Sequence, residues 1–422
     1  MSNENQEIQR AILLHVSGLR LEDIRAVPEV EKLLHDGVAL ELEPTLITEP
    51  QNQEYQALTG RFPDSFGFFD TRMPACHLAN TTQPSSGYTI VEEHSGRETT
   101  PASLTERLQS AGWHVQQATC SSDKLESTLE DLTHNHVSTP TCLFITCTFD
   151  TNLPTTEVAT QLSGTLQSAR TWLGATGLLA ILSDAQPAHV KQFVNMNNFL
   201  ADMGIIERDA QTGSIQWPDS LAYFAGSGQL WINLLGREPQ GAVHLQDEYE
   251  EVRDTLVNAL PQKLRDPQTG ETVIERVYRK EELYSENFLF CAPDLIVLFK
   301  PGYASSPESA YMRFDEHVFT PVSPDTAVVA GTHPSDLKGF LLGSAPSLGS
   351  GITTSNQLVT VVPTLLHALG LDYTGLDAAP VQDVYSYSYL ADHPLHEEGQ
   401  EQGLSEEDEE LVINRLRDLG YI

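Results

Sequence analysis

The chain has 422 residues, of which 40% are hydrophobic and 20% are charged. This balance excludes wholesale disorder and predicts a sizeable buried core. The 59 acidic residues outnumber the 24 lysines and arginines, which gives a formal net charge of −35. Because so acidic a surface repels nucleic acids and anionic membranes, we expect neither as a partner.

Cysteine usage and the first residues both indicate a reducing compartment. The five cysteines are odd in number and form no Cys-x-x-Cys pair, so we expect reduced thiols. The N-terminal segment lacks a basic region followed by an apolar run, and no window approaches about 18 apolar residues. We therefore expect a soluble, cytoplasmic protein.

Apolar runs alternate with amphipathic stretches through the first half of the chain, a pattern typical of a parallel sheet flanked by helices. Strands are predicted over 11–19, 113–119, 141–149 and 177–184. Helices are predicted over 28–37, 48–60, 102–112 and 155–173. The order favours an α/β fold.

The second half of the chain begins with a change in composition. Residues 206–290 are less hydrophobic and carry the similar loops RDAQTGS and RDPQTGE, so we interpret them as a cap-like insertion. They separate two parts of one core, 1–205 and 291–422. The second part resumes with the apolar strand DLIVLF and ends in an acidic tail that turns into an amphipathic helix.

Acidic residues follow two of the predicted buried strands directly. Asp150 comes after the strand over 141–149, and Asp184 closes the next strand along the chain. Ligand sites in open α/β sheets form at the carboxyl ends of the strands. Each aspartate alone is also explained as a cap of the following turn, so both interpretations stay open at this point.

Five segments, in the right order, resemble the phosphodiesterase and nucleotide-pyrophosphatase branch of the alkaline phosphatase superfamily, and among its members most closely the phosphohydrolase/phosphomutase group. They are ILLHVSGLR, ALTGRFPDSFGFFD, LLAILSD, APDLIVLFKPGY and GTHPSDLKGFLLGSAP. The resemblance covers nearly the whole chain. It implies a three-layer αβα fold with a large, mostly parallel central sheet and an inserted cap-like segment.

The resemblance also implies a site. Members of this family hold two divalent ions, usually zinc, and a Thr or Ser attacks phosphorus. Matching the family motifs residue by residue makes Thr48 the nucleophile by position. It makes Asp150, Asp184 and His333 metal ligands.

Three positions depart from the family pattern. Ser17 stands where the family has an aspartate, and Pro154 and Ala185 stand where it has histidines. A two-ion site needs anionic and imidazole donors, and none of these three side chains supplies one. We therefore expect at most one divalent ion, zinc, at low occupancy, and no other cofactor.

Four other histidines could in principle replace the missing metal ligands, but we do not expect them to. His15 lies two residues before Ser17 and so faces the same side of its strand, which buries it beneath the site. His189 follows Asp184 by five residues. His134 and His136 lie in a predicted loop. A structural role is favoured for all four.

Three functions are consistent with these residues. The first is a pseudoenzyme that keeps the fold for binding or assembly. The second is an active metal-dependent phosphohydrolase or phosphodiesterase with a rearranged, mononuclear site, which would act on a small phosphate ester through Thr48. The third is a subunit of a larger assembly, with a protein partner or further copies of itself. Arg237 and Glu238 are expected to form a structural salt bridge rather than to orient a substrate.

Overall fold

The computed structural model describes most of the chain. The described residues are 7–43, 50–67, 69, 73–74, 88, 90–91, 101–134, 140–150, 153–184, 190–284, 289–323 and 338–395. None of the helices within these ranges combines the length and the apolar character needed to cross a bilayer.

Sixteen strands are formed by the described residues. They are β1 (Arg10–Ser17), β2 (Val38–Glu43), β3 (Met73–Pro74), β4 (Ile90–Val91), β5 (His114–Ser121), β6 (Thr141–Thr148), β7 (Leu178–Ser183), β8 (Gln192–Val194), β9 (Ala222–Phe224), β10 (Gln229–Ile232), β11 (Ile274–Arg279), β12 (Leu295–Phe299), β13 (Tyr303–Ser305), β14 (Phe319–Pro321), β15 (Gly339–Ser344) and β16 (Ile352–Gln357).

The helices connect and cover these strands. They are α1 (Leu21–Ile24), α2 (Pro28–Asp36), α3 (Pro50–Thr59), α4 (Pro63–Phe66), α5 (Leu104–Ser110), α6 (Leu125–Thr133), α7 (Thr155–Leu173), α8 (Met196–Asp202), α9 (Asp247–Lys263), α10 (Lys280–Leu283), α11 (Pro307–Ala310), α12 (Val361–Ala368) and α13 (Tyr387–Asp392).

The large sheet has seven strands in the order β16-β2-β15-β7-β1-β6-β5. Strand β15 pairs antiparallel with both of its neighbours, and every other pairing in this sheet is parallel. The carboxyl ends of β1, β2, β6 and β7 therefore meet at one edge of the sheet. The expected α/β fold with a large, mostly parallel central sheet is confirmed.

The two faces of this sheet bury separate apolar cores because successive side chains of a strand point in opposite directions. In β1, Ala11 and Leu13 pack in the core formed with α5 and α12. Ile12 and Leu14 pack in the opposite core, with α2, α6 and α7. Helices thus lie on both faces, which gives the three layers predicted from the sequence.

A second, antiparallel sheet has the order β11-β12-β10-β9. It packs with α8 and α9 around a core of its own. Strand β12, which the sequence predicted as a return to the main core, pairs with β10 and β11 in this second sheet. An entirely apolar strand such as Leu295–Phe299 has the same pattern in either sheet, and only the pairing decides between them. The division at 206–290 stays a prediction.

A buried ion pair anchors the second sheet. Asp294 is fully buried and accepts hydrogen bonds from both Arg237 amino groups, at 2.8 and 2.6 Å. It also accepts from the Tyr249 hydroxyl at 2.7 Å and from the Ile232 N–H at 2.8 Å. Although burial opposes ionisation, the charges of Arg237 and Lys280 hold the pKa of Asp294 far below its usual value. Arg237 therefore joins a structural network, as expected from the sequence.

We expect Arg237→Ala to lower the free energy of unfolding by about 3–5 kcal/mol, because it leaves Asp294 buried without its main cation. Chemical denaturation measures this loss. The control is Arg276→Ala, whose partner Glu282 is exposed and whose removal should cost at most about 1 kcal/mol. Equal losses for the two variants would contradict the structural role of the pair.

Candidate functional site

Three of the positions singled out by sequence lie on adjacent strands at the carboxyl edge of the large sheet. Ser17 is the last residue of β1, Asp150 follows β6 by two residues, and Asp184 follows β7 directly. Strand β1 lies between β6 and β7. The two aspartates therefore lie at the same edge of the sheet, with β1 between their strands rather than on neighbouring strands as the sequence suggested.

Thr48 and His333 lie outside the described residues, and their roles stay predictions. The residues that flank them approach the same edge of the sheet. Glu43 is the last residue of β2, and Lys338 directly precedes β15. Their side chains form an ion pair, with 2.8 Å between Lys338 Nζ and Glu43 Oε1. The described residue nearest before Thr48 and the one nearest after His333 therefore both lie at this edge of the sheet.

Gly339 allows β15 to approach the end of β7 closely. A Cβ atom at this position would lie 2.3 Å from the carbonyl oxygen of Ser183, much closer than any real contact. Glycine is therefore required where the antiparallel strand passes Asp184.

The central contact of the site joins His15 to Asp184. His15 Nε2 lies 2.7 Å from Asp184 Oδ1, and both side chains are almost fully buried, at 3% and 6% exposure. This distance is that of a charge-assisted hydrogen bond, in which the imidazole N–H donates to the carboxylate. His15 shares the strand face of Ser17, as the alternation predicted, and its ring binds Asp184 there.

A second carboxylate approaches His15 from helix α3. Glu54 Oε1 lies 3.7 Å from His15 Nδ1, and its side chain is 44% exposed. Burial by itself lowers the pKa of His15, but the hydrogen bond and charge of Asp184, together with the charge of Glu54, raise it overall. Partial burial raises the pKa of Glu54; His15 opposes this and Asp184 adds to it. Both neighbouring carboxylates therefore favour the protonated form of the His15 imidazole.

The sequence did not single out Glu54. The sequence did contain a hint of its role. The predicted helix over 48–60 begins at the proposed nucleophile, and Glu54 is the one acidic residue of α3 within it. Nothing in the sequence showed that this helix turns Glu54 toward β1.

Ser17 meets a neighbouring hydroxyl. It is paired in register with Thr148 of β6, and its Oγ donates a hydrogen bond to Thr148 Oγ1 across 3.4 Å. Two hydroxyls at a strand end lack the negative charge that would attract a dication.

The donors of the described residues do not fit a metal ion. No three or more of their histidine, cysteine, aspartate and glutamate side chains converge as a metal group would require. Asp150 is exposed. One intervening strand separates the β6 and β7 backbones, so Asp150 and Asp184 start from positions roughly 10 Å apart. Asp184 already bonds His15. We derive no catalytic step through a metal from this set.

The remaining substituted and alternative positions have structural roles or lie outside the described residues. Pro154 is the N-cap residue of α7, a position that needs no N–H donor. His134 Nδ1 lies 2.5 Å from the Glu130 carbonyl oxygen at the end of α6. Ala185, His189 and His136 are outside the described ranges.

Solved structures of ectonucleotide pyrophosphatase/phosphodiesterases share this fold. Human ectonucleotide pyrophosphatase/phosphodiesterase 5 matches with a TM-score of 0.53 and 14% identity, covering 93% of this chain and 100% of that one. The murine protein matches with a TM-score of 0.54 and 13% identity over the same shares. So does an inactive form of the murine protein in complex with AMP.

No family model matches the sequence, and no curated protein matches it. At 13–14% identity the structural matches establish the fold alone, which this chain shares with these ectonucleotide pyrophosphatase/phosphodiesterases.

We expect His15→Ala to lower the free energy of unfolding by about 3–5 kcal/mol, because Asp184 would be left buried without its cation. Denaturant titration near pH 6 measures the loss. The control is His35→Ala, which removes an exposed histidine paired with Asp36 and should change stability little. A His15→Ala protein as stable as the wild type would show that the pair contributes nothing.

The stabilisation by His15 should depend on pH in a defined direction. The pKa of His15 is raised in the folded protein above the ordinary value of 6.5. Its contribution is therefore complete below pH 6.5 and is lost as the pH rises through the folded-state pKa. The difference in unfolding free energy between wild type and His15→Ala should shrink from pH 6 to pH 9. A difference that grows over this range would contradict a protonated His15.

Proposed function

We propose that this chain is a pseudoenzyme with the nucleotide pyrophosphatase/phosphodiesterase fold, kept for a binding or assembly role. The observation that carries the proposal is the buried bond between His15 Nε2 and Asp184 Oδ1. A carboxylate that the family resemblance assigns to a metal ion is here neutralised by a side chain of the protein itself.

Charge balance supports this proposal. A dication at Asp184 would have to lie near the protonated His15, and the repulsion between them weakens any site that the missing donors leave. Ser17 adds no anionic charge, and Pro154 adds no imidazole. Loss of even one outer partner of a metal ligand commonly costs 10–100-fold in affinity, and here ligands themselves are replaced.

We expect the purified protein to carry less than one equivalent of zinc and to leave p-nitrophenyl phosphate, bis-p-nitrophenyl phosphate and nucleotide diesters unhydrolysed. Elemental analysis of protein prepared without chelators, followed by these assays with added zinc, tests both expectations. Turnover that is abolished by Thr48→Ala and by EDTA would refute the proposal.

A variant with restored donors provides the matched control. The triple substitution Ser17→Asp, Pro154→His and Ala185→His returns the family's residue types to the three positions that lack them. It should bind more zinc than the wild type under the same conditions, which would assign the low metal content to the missing donors. Equal zinc content in the two proteins would contradict that assignment.

The second candidate is an active phosphohydrolase or phosphodiesterase with a rearranged, mononuclear site. The observation that favours it is the placement of Asp150 and Asp184 on the strands that flank β1. Its substrate would be a small phosphate ester; one structural neighbour was solved in complex with AMP. One tightly bound equivalent of metal with Thr48-dependent turnover would support this candidate over the first.

A further inference from the structure

Within the described part of the chain, one edge of the large sheet is a strand that no other strand covers. Strand β5 is the last in the sheet order and pairs with β6 on one side only. Its eight residues, His114–Ser121, include no Asp, Glu, Lys, Arg or Pro. Native proteins usually protect such an edge with charges, prolines or bulges, because its free backbone groups invite another strand to pair.

The orientation of the backbone groups follows from one hydrogen bond. The His114 N–H donates to the Pro140 carbonyl, so His114 faces β6. In a parallel ladder every second residue faces the same neighbour. Val115, Gln117, Thr119 and Ser121 therefore point their N–H and C=O groups away from β6. The Ser121 carbonyl is already used, because Ser121 is the N-cap of the 3₁₀-helix Ser122–Lys124 and accepts the first bond of that helix. For the other outward groups, the described residues outside helices and strands supply no backbone partner.

The opposite edge of the sheet is more protected. In β16 the Ile352 N–H donates to Gly37, which turns Thr353, Ser355 and Gln357 outward. Gln357 is already satisfied: its N–H donates to Asn356 Oδ1 at 3.3 Å, and its carbonyl accepts from Thr360 Oγ1 at 2.7 Å. β16 is also two residues shorter than β5. The two edges thus differ in how many backbone groups they leave open.

We propose that β5 is a dimer interface, at which two copies of this chain pair their β5 strands antiparallel about a two-fold axis through Ala118. In this register Val115 faces Ser121 of the second copy, and Gln117 faces Thr119. All the outward residues are then matched, and because the Ser121 carbonyl is already used this gives about six backbone hydrogen bonds. The pairing is self-complementary, as a two-fold interface requires.

Charge favours a second copy at this edge over a basic partner. The whole chain carries a net charge of −35, so two copies repel each other over most of their surfaces. β5 is a stretch without acidic residues on which they can approach, and it offers no carboxylates to bind a basic protein. Because salt screens the repulsion between the copies, the dimer should become tighter with added salt.

The oligomeric state of the full chain tests the proposal. Light scattering during size-exclusion chromatography, over a range of protein concentrations at low and high salt, should show a dimer that dissociates on dilution. A protein that remains monomeric at every concentration and salt level would overturn the proposal, and so would a dimer that weakens as salt is added.

A matched pair of variants tests the position of the axis. Ala118→Glu places two like charges opposite each other at the axis and should abolish the dimer at low salt. Ala118→Gln has nearly the same size without the charge and should keep it. Equal dissociation by both, with unchanged circular dichroism, would contradict the proposed axis.

Edge prolines distinguish the two edges of the sheet. Gln117→Pro removes an outward N–H that the monomer does not use, so it should give a folded monomer. Thr353→Pro, the equivalent change in β16, should leave the dimer intact. The reverse result would assign the interface to β16 and reject β5.

Crosslinking gives an independent readout. With Cys120→Ser to remove the nearest native thiol, Ala118→Cys should form a disulfide between copies on mild oxidation, because antiparallel neighbours at the axis lie within disulfide range. Ser110→Cys, at an exposed position of α5, is the control and should not crosslink. Equal crosslinking of both variants would contradict the register.

Discussion

The bond between His15 and Asp184 is the constraint on which the site depends. A parallel sheet collects the ends of several strands at one edge, and here two of those ends carry aspartates. Such a concentration of negative charge must be balanced by a metal, by a basic side chain or by protonation. In this chain a buried histidine from β1 supplies the balancing charge for Asp184, and Glu54 from α3 adds a further carboxylate beside it.

This balance connects the fold to the proposed function. A buried histidine–aspartate pair on adjacent strands balances its own charge, so under the proposed function the sheet edge keeps its architecture without a bound ion. The fold shared with the nucleotide pyrophosphatase/phosphodiesterases is then maintained by its two apolar cores, which are independent of the chemistry at the edge. The second sheet has its own apolar core and its own buried ion pair, Arg237–Asp294.

Much of the fold could be predicted because the apolar periodicity is strong. The helix over 155–173 and the strands β1, β6 and β7 have the predicted bounds to within two residues. The pattern did not predict the strands β2 and β16 of the large sheet. β2 places glutamates among its apolar residues, and β16 has polar residues in almost every position, so neither shows the pattern of a buried strand. Their places in the sheet come from pairing with distant segments.

The sequence by itself determined the residue types at the candidate site: the aspartates at two strand ends, the serine at a third and the side of β1 on which His15 lies. These follow from local periodicity and from motif order. Only the tertiary structure decided that His15 binds Asp184, that Glu54 lies beside them and that Leu295–Phe299 joins the second sheet. Each of these contacts joins residues far apart in the chain, and their distance depends on how whole strands and helices pack, which no local pattern records.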